Sequence, residues 1–150
     1  MNLLYMLYLV SSTLHGEPDM KLLRLLYIDA AKEKDNAVKL LAMTSDHDEK
    51  IIVQAYHGAV MMVMARYYFN PLTKWKSFSQ GSELLESAIQ SEPMNAELRY
   101  LRLSIQEHAP SFLGYHQSIE EDKAFLKNNL GRMEDEELRN TIASYLQSGK

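Results

Sequence analysis

Cysteine is absent from this sequence of 150 residues. The chain therefore has no disulfide bond, no thiolate zinc site and no cysteine nucleophile. The absence does not fix the compartment, because many exported proteins also lack cysteine.

Basic residues are scarce as well, since 16 Lys and Arg stand against 20 Asp and Glu, for a net charge of −4. A nucleic-acid binder normally carries a basic stripe, so nucleic acid is not an expected partner. The apolar run Met1–Val10 is too short to cross a bilayer as a helix. We therefore expect no integral membrane span.

That N-terminal run has two interpretations. An apolar core followed by small residues is typical of a signal peptide, although no lysine or arginine precedes it. The alternative is a buried first helix that ends near Gly16 as its C-cap. Cleavage would mean an exported or periplasmic protein whose fold begins near Glu17. Retention of residues 1–16 would be compatible with a cytoplasmic protein.

Glycine and proline are few, with six and four residues, while 46% of the chain is apolar. Apolar residues recur at helical spacing, and no segment alternates as a strand does. The sequence predicts one all-α domain over residues 1–150, with six to seven helices in antiparallel hairpins. Residues 17–150 would form its helical core.

The centre of the chain, Ile51 to Leu103, predicts a helical hairpin. Six residues of the first helix share one face at spacings of 4, 3, 4, 3 and 4: Ile51, Ala55, Gly58, Met62, Ala65 and Phe69. The second helix offers a similar face: Phe78, Gly81, Leu85 and Ala88. A glycine inside a helix costs ~1 kcal/mol relative to alanine. We therefore expect Gly58 to allow close approach of another backbone.

Two proline turns delimit this hairpin. The residue before a proline disfavours the α region, so Asn70-Pro71 and Glu92-Pro93 predict the two helix ends. Asn95 is a predicted N-cap for the next helix. Its expected inner face is Met94, Leu98, Leu101 and Ile105.

Three further segments carry structural predictions. Pro18 suits the first turn of a helix that runs to about Lys34. The leucine-rich face of that helix is broad, so we expect it to be covered on more than one side. Ser45 is a predicted capping-box residue for the long central helix. In the loop after His108, the apolar residues are expected to plug the end of the bundle: Phe112, Leu113 and Tyr115.

The run Gly81-x6-Ala88-x4-Pro93-x-Asn95 resembles the second helix of a tetratricopeptide repeat. Small residues within the helix, a proline after it and an asparagine before the next repeat are the shared features. Ala55-x2-Gly58 looks like the first helix of the same repeat. The resemblance implies a right-handed α-α superhelix whose concave groove, lined by the first helices, binds a peptide.

The chain departs from that family in two respects. A regular repeat has about 34 residues, and the separation of Gly58 from Pro93 implies a longer unit with its surplus around Tyr67 to Ser77. Arg99 and Arg102 fall near positions where the family has an aromatic residue. The resemblance therefore covers one degenerate repeat, about a third of the chain.

Arg99 and Arg102 are the best candidate partner-binding residues. They are three positions apart, and two guanidinium groups can hold a carboxylate, such as a partner's C-terminus, by paired hydrogen bonds. The alternative is an internal salt bridge to Glu97 or to the acidic run Glu120–Asp122.

Tyr56 and His57 lie beside Gly58 and would line the groove, or else pack in the core. Trp75 belongs to an aromatic cluster around the central turn: Tyr67, Tyr68, Phe69, Trp75 and Phe78. Exposed, the cluster would contact a partner. Buried, it would form the core beneath the turn, as the spacing to Leu72 favours. Of the cluster, Trp75 is the residue most expected to be partly exposed.

Catalytic and metal motifs are missing. The sequence contains no Gly-rich phosphate loop, no Gly-x-Ser-x-Gly and no His-Glu-x-x-His. His47 is flanked by acids, but adjacent residues on a helix point in different directions and cannot close on one ion.

We therefore expect a non-enzymatic scaffold that binds a protein or peptide, without cofactor or metal. The rival interpretation is a small-ligand or lipid-binding protein of the bacterial cell envelope. In it, Met61, Met62 and Met64 would line an adaptable apolar cavity.

Overall fold

A computed structural model of the protein describes residues 18–45 and 50–148, and all of its regular structure in these residues is helical. Seven α-helices follow one another: α1 Met20–Ala30, α2 Lys34–Thr44, α3 Ile51–Met64, α4 Pro71–Ser91, α5 Ala96–His108, α6 Ile119–Asn129 and α7 Glu136–Ser148. Short 3-10 turns occur at Ala65–Tyr67, Ser111–Leu113 and Leu130–Arg132. The all-α prediction is confirmed, and the seven helices of the described residues agree with the predicted six to seven. The two interpretations of residues 1–16 and the prediction for His47 lie outside the described residues.

Asp and Asn side chains cap the first turn of four helices: Asp19, Asn70, Asn95 and Asp135. Asn95 accepts hydrogen bonds from the backbone N–H groups of Glu97 and Leu98, as predicted. Asn70 accepts in the same way from Leu72 and Thr73, so Asn70-Pro71 begins α4.

Three predicted helix boundaries are wrong. The helix before Asn70-Pro71 ends earlier, at Met64, because the chain tightens into a 3-10 turn. Pro18 precedes the N-cap, Asp19, and so lies outside α1. Ser45 follows α2 as its C-cap and bonds back to the carbonyl of Ala42.

The pairing of α3 with α4 passes through two glycines, Gly58 and Gly81. A Cβ atom added to Gly58 would lie 2.5 Å from the carbonyl oxygen of Gly81. A Cβ on Gly81 would clash with the carbonyl oxygen of Gly58. Ser77 adds a 2.7 Å hydrogen bond from its hydroxyl to the carbonyl of Met61. The predicted close approach at Gly58 is confirmed.

Helix α5 separates two apolar clusters and contributes to both. Leu98, Leu101 and Ile105 pack into the larger cluster with α1, α2, α3 and α4. Tyr100 and Leu103 pack into the smaller cluster with α6 and α7. Because both of its faces are used, α5 holds the two halves of the molecule together.

Three apolar residues that were predicted to face inward are exposed: Phe69, Met94 and Phe112. Phe69 follows Tyr68, which is extended, so the helical spacing no longer applies to it. Met94 precedes the N-cap Asn95 and is likewise outside a helix. Phe112 lies in the 3-10 turn Ser111–Leu113. Tyr115 does pack inward, with its ring edge-on to Phe78.

Candidate functional site

Arg102 is buried, and its guanidinium group is satisfied inside the protein. It donates two hydrogen bonds to the carboxylate of Asp122, at 2.7 and 2.8 Å. A third bond of 2.9 Å reaches Glu86, which also accepts from the hydroxyl of Tyr115. Asp122 itself is fully buried. The internal salt bridge, rather than a free carboxylate site, is the arrangement that the structure contains.

Arg99 lies at the edge of the same network. Its guanidinium group bonds Glu121 at 2.6 Å and Asp122 at 2.9 Å. The group also stacks over the ring of Phe125, with 5.1 Å to the ring centre. The hydrogen bond and the charge of Arg99 lower the pKa of Glu121. Arg99 therefore links α5 to α6.

Tyr56 is buried and takes part in a second network. Its hydroxyl donates a 2.7 Å hydrogen bond to Glu97, and Glu97 receives both a Nε and a terminal N–H of Arg24 at 2.8 Å. Burial, with the nearby Glu97 carboxylate, raises the pKa of Tyr56 well above its ordinary value. The ring lies edge-on to Tyr27 at 5.6 Å. A buried tyrosine in this network cannot contact a partner.

His57 is half-buried on α3, and its Nδ1 lies 2.9 Å from the hydroxyl of Thr44 on α2. The structure thus distributes the predicted partner-binding residues over different environments. Tyr56, Arg99 and Arg102 hold helices together, and His57 contacts α2. Trp75 alone among them projects from the surface, with 61% of its area exposed.

One exposed apolar region in the described part of the chain surrounds Trp75. Phe69 is fully exposed and Leu72 is 71% exposed. Leu72 and Trp75 are three residues apart at the start of α4, so they share a face. We define Phe69, Leu72 and Trp75 as the hairpin tip. The expected exposure of Trp75 is confirmed, whereas the predicted burial of Phe69 is wrong.

Another region lies along α1, where large aliphatic side chains are 39–53% exposed: Leu22, Leu25 and Ile28. They share the outer face of the helix, because they are three residues apart. We predicted that this face would be covered on more than one side. Within the described residues, that prediction is wrong at these three positions.

Ile28 extends this face into a groove between α1 and α7, which we call the α1–α7 groove. The groove has a volume of about 610 Å³, and its other lining residues are Tyr100, Glu137, Asn140, Thr141, Ser144, Tyr145 and Ser148. Tyr145 also donates a hydrogen bond to Glu107, which fixes its ring at the groove floor. Burial raises the pKa of Tyr100 to about 12.

Sequence reasoning did not find this groove. The exposed spacing of Leu22, Leu25 and Ile28 was visible as part of a broad apolar face. The sequence does not show that α1 and α7 lie close together in space, because they are more than 100 residues apart along the chain.

The methionines of α3 lie in or beside the apolar core. Met62 and Met64 are buried in the larger apolar cluster, and Met61 is half-buried beside Gly81. Among residues 18–45 and 50–148, no three His, Asp or Glu side chains are grouped so that they could hold a metal ion. No helix in the same residues has the length and apolarity needed to cross a membrane.

Comparisons with known proteins give no relative: no family model, no curated protein and no solved structure matches this chain.

Proposed function

We propose that this protein is a non-enzymatic scaffold that holds a helical segment of a partner protein in the α1–α7 groove. The observation that carries the proposal is the continuity of an exposed aliphatic strip, Leu22 to Ile28, with the open, shallow groove between α1 and α7. An amphipathic helix laid between two helices is a recurrent way of recognising a peptide.

The chemistry of the groove indicates what the segment would carry. Apart from Glu137, which is paired with Lys21 at 3.9 Å, its lining residues are uncharged. Asn140, Thr141 and Ser144 offer hydrogen-bonding groups on the α7 side, and Ile28 offers an apolar surface on the α1 side. An uncharged amphipathic helix complements both sides without burying an unpaired charge.

A binding role is also supported by how the charges of the interior are used. In the described part of the chain, every buried side-chain nitrogen or oxygen has a hydrogen-bond partner. Arg24 is paired with Glu97, and Arg102 is paired with Asp122. Both ion pairs stabilise the packing of helices. The proposal includes the resemblance to a tetratricopeptide repeat. It differs from that family in the position of the binding groove, which we assign to α1 and α7 and not to α3.

Site-specific crosslinking tests the proposal directly, because the chain has no native cysteine. A Ser144→Cys variant carrying a benzophenone label would be photolysed in an extract of the native cell. We expect one dominant adduct, whose crosslinked residue lies in a segment with apolar residues three and four positions apart. A synthetic peptide of that segment should then bind the isolated protein.

Two variants complete the design. Leu25→Glu introduces a charge on an exposed part of the strip and should weaken peptide binding roughly tenfold or more. Lys127→Glu, on the exposed side of α6, is the control and should leave binding unchanged. Adducts only to the chain's own residues 1–17, only to a small molecule, or to many proteins without a shared segment would contradict the proposal.

A further inference from the structure

The hairpin tip is rigidly supported although its apolar side chains are exposed. The tip follows directly from the 3-10 turn Ala65–Tyr67, and the hydroxyl of Tyr67 donates a 2.8 Å hydrogen bond to the carbonyl of Ala30 at the end of α1. Tyr68 packs against the larger apolar cluster. Phe69 therefore follows directly after residues that are held by the fold, and it does not lie in a long loop.

The charge around the tip differs from that of the whole chain. Between Ile51 and Ser82 the sequence has no Asp or Glu, and its cations are Arg66, Lys74 and Lys76. All three cations are exposed. In the described part of the chain none of them forms an ion pair, and Arg66 lies 6.0 Å from the centre of the Tyr67 ring.

The neighbouring turn between α1 and α2 does not reverse this local charge. Its exposed charges are Lys32 and Lys34 against Asp29, Glu33 and Asp35, a sum of −1 that leaves the three cations of the tip in excess. A chain with a net charge of −4 thus presents three unpaired cations beside three exposed apolar side chains at one end of a hairpin.

The shape of the tip favours a deformable partner. Phe69, Leu72 and Trp75 are exposed where the hairpin turns, and they differ in size and shape. A protein would need a separate matching pocket for each of them, whereas the interface of a bilayer accepts all three. Tryptophan is enriched at that interface, and flanking cations interact with anionic headgroups.

We infer that the hairpin tip docks on the surface of a membrane that contains anionic lipid. Phe69, Leu72 and Trp75 enter the interfacial region, while Arg66, Lys74 and Lys76 contact the headgroup phosphates. The attachment is peripheral and reversible, since only a few apolar side chains are inserted. The surface is separate from the α1–α7 groove, so this inference does not depend on the proposed function.

Trp75 is the only tryptophan in the chain, so its fluorescence reports on the tip alone. The full chain would be titrated with vesicles of phosphatidylcholine, and with vesicles that contain about one third phosphatidylglycerol. We expect the emission to shift to the blue and acrylamide quenching to fall with the anionic vesicles only. Salt at about 0.5 M should reverse the effect, because it screens exposed charges.

Two double variants assign the effect to the tip and leave Trp75 in place. Lys74→Glu/Lys76→Glu should weaken vesicle binding about tenfold or more. Phe69→Ser/Leu72→Ser removes two exposed apolar side chains and should also abolish the blue shift. The matched control is Lys127→Glu/Arg132→Glu, which makes the same change of charge on exposed positions of α6 and the turn after it. Circular dichroism checks that each variant is folded.

Three results would overturn the inference. The first is an unchanged Trp75 spectrum with anionic vesicles, which would leave a protein as the occupant to be considered. The second is equal binding to neutral and anionic vesicles. The third is binding that the tip variants do not weaken, which would place the contact elsewhere, for example in residues 1–17.

Discussion

Gly58 and Gly81 each lie against the carbonyl oxygen of the other, and this contact sets the distance between α3 and α4. Neither glycine has a backbone conformation that requires glycine, since Gly114 is the glycine with positive φ in the described residues. The absence of a side chain is therefore what both positions require.

Replacing Gly58 with alanine should destabilise the protein. The added methyl group would lie 2.5 Å from a backbone oxygen that cannot move without shifting α4. Overpacking of this kind costs about 1–3 kcal/mol, which exceeds the gain of about 1 kcal/mol from better helix propensity. Urea unfolding measures the change. Gly131→Ala is the control, because nothing lies within 4 Å of that position, and a similar loss in both variants would contradict the explanation.

Arg102→Met should be among the most destabilising single substitutions. It removes the bidentate partner of Asp122, which is fully buried and would keep only its single contact with Arg99. Breaking a buried pair from one side costs about 3–5 kcal/mol. Thermal and urea unfolding give the loss. The double variant Arg102→Met/Asp122→Leu should recover part of it, and no recovery would indicate that Glu86 or packing is the larger factor.

Tyr56→Phe tests the hydrogen bond at the centre of the second network. The substitution keeps the ring but removes the donor to the carboxylate of Glu97. Loss of a buried hydrogen bond to a charged group costs about 1.5–3 kcal/mol. Tyr68→Phe serves as the control, because its hydroxyl makes no hydrogen bond in the part of the chain that the structure describes. Equal effects of the two substitutions would contradict this account.

Acidification should destabilise the fold in part through Asp135. Its pKa is lowered, first by a hydrogen bond from the backbone N–H of Leu138 and then by the side chain of Arg24. A carboxylate whose pKa is lower in the folded state stabilises that state above the ordinary pKa, about 3.9. The contribution is lost as the pH falls through the lower, folded value.

The measurement is the free energy of unfolding from neutral pH down to about pH 3. Asp135→Asn should be less stable at neutral pH and should lose less stability on acidification. Glu107 adds to the wild-type slope: although burial opposes it, Lys123 and Tyr145 lower the pKa of its carboxyl overall. A slope that Asp135→Asn leaves unchanged would mean that other carboxylates dominate.

Local patterns predicted the fold well where each pattern stayed within one helix. The spacing around Gly58 and Gly81 identified the hairpin, and Asn95 identified a helix start, because both depend on neighbours in sequence. Phe69 and Met94 were misplaced since their spacing was continued past a helix end. The tightening of the chain at Ala65 into a 3-10 turn has no clear sequence signal.

The candidate site was harder to predict, since it depends on contacts between distant helices. The acids near Arg102 could be named as alternatives, yet the pairing with Asp122 requires the position of α6 relative to α5. The groove beside Ile28 depends in the same way on α7. Trp75, between Lys74 and Lys76, was expected to be partly exposed and is, although the spacing of its aromatic cluster favoured burial.

The use of both faces of α5 has a consequence for how such a chain can change in length. In an array of stacked repeats each unit contacts only its neighbours, so copies can be added or removed. Here Glu97 is bonded to α1 and α3, Arg102 to α4 and α6, and Glu107 to α6 and α7. A duplicated hairpin next to α5 would displace partners on two sides at once. We therefore expect added length to be tolerated best in loops remote from α5, as longer turns and not as further repeats.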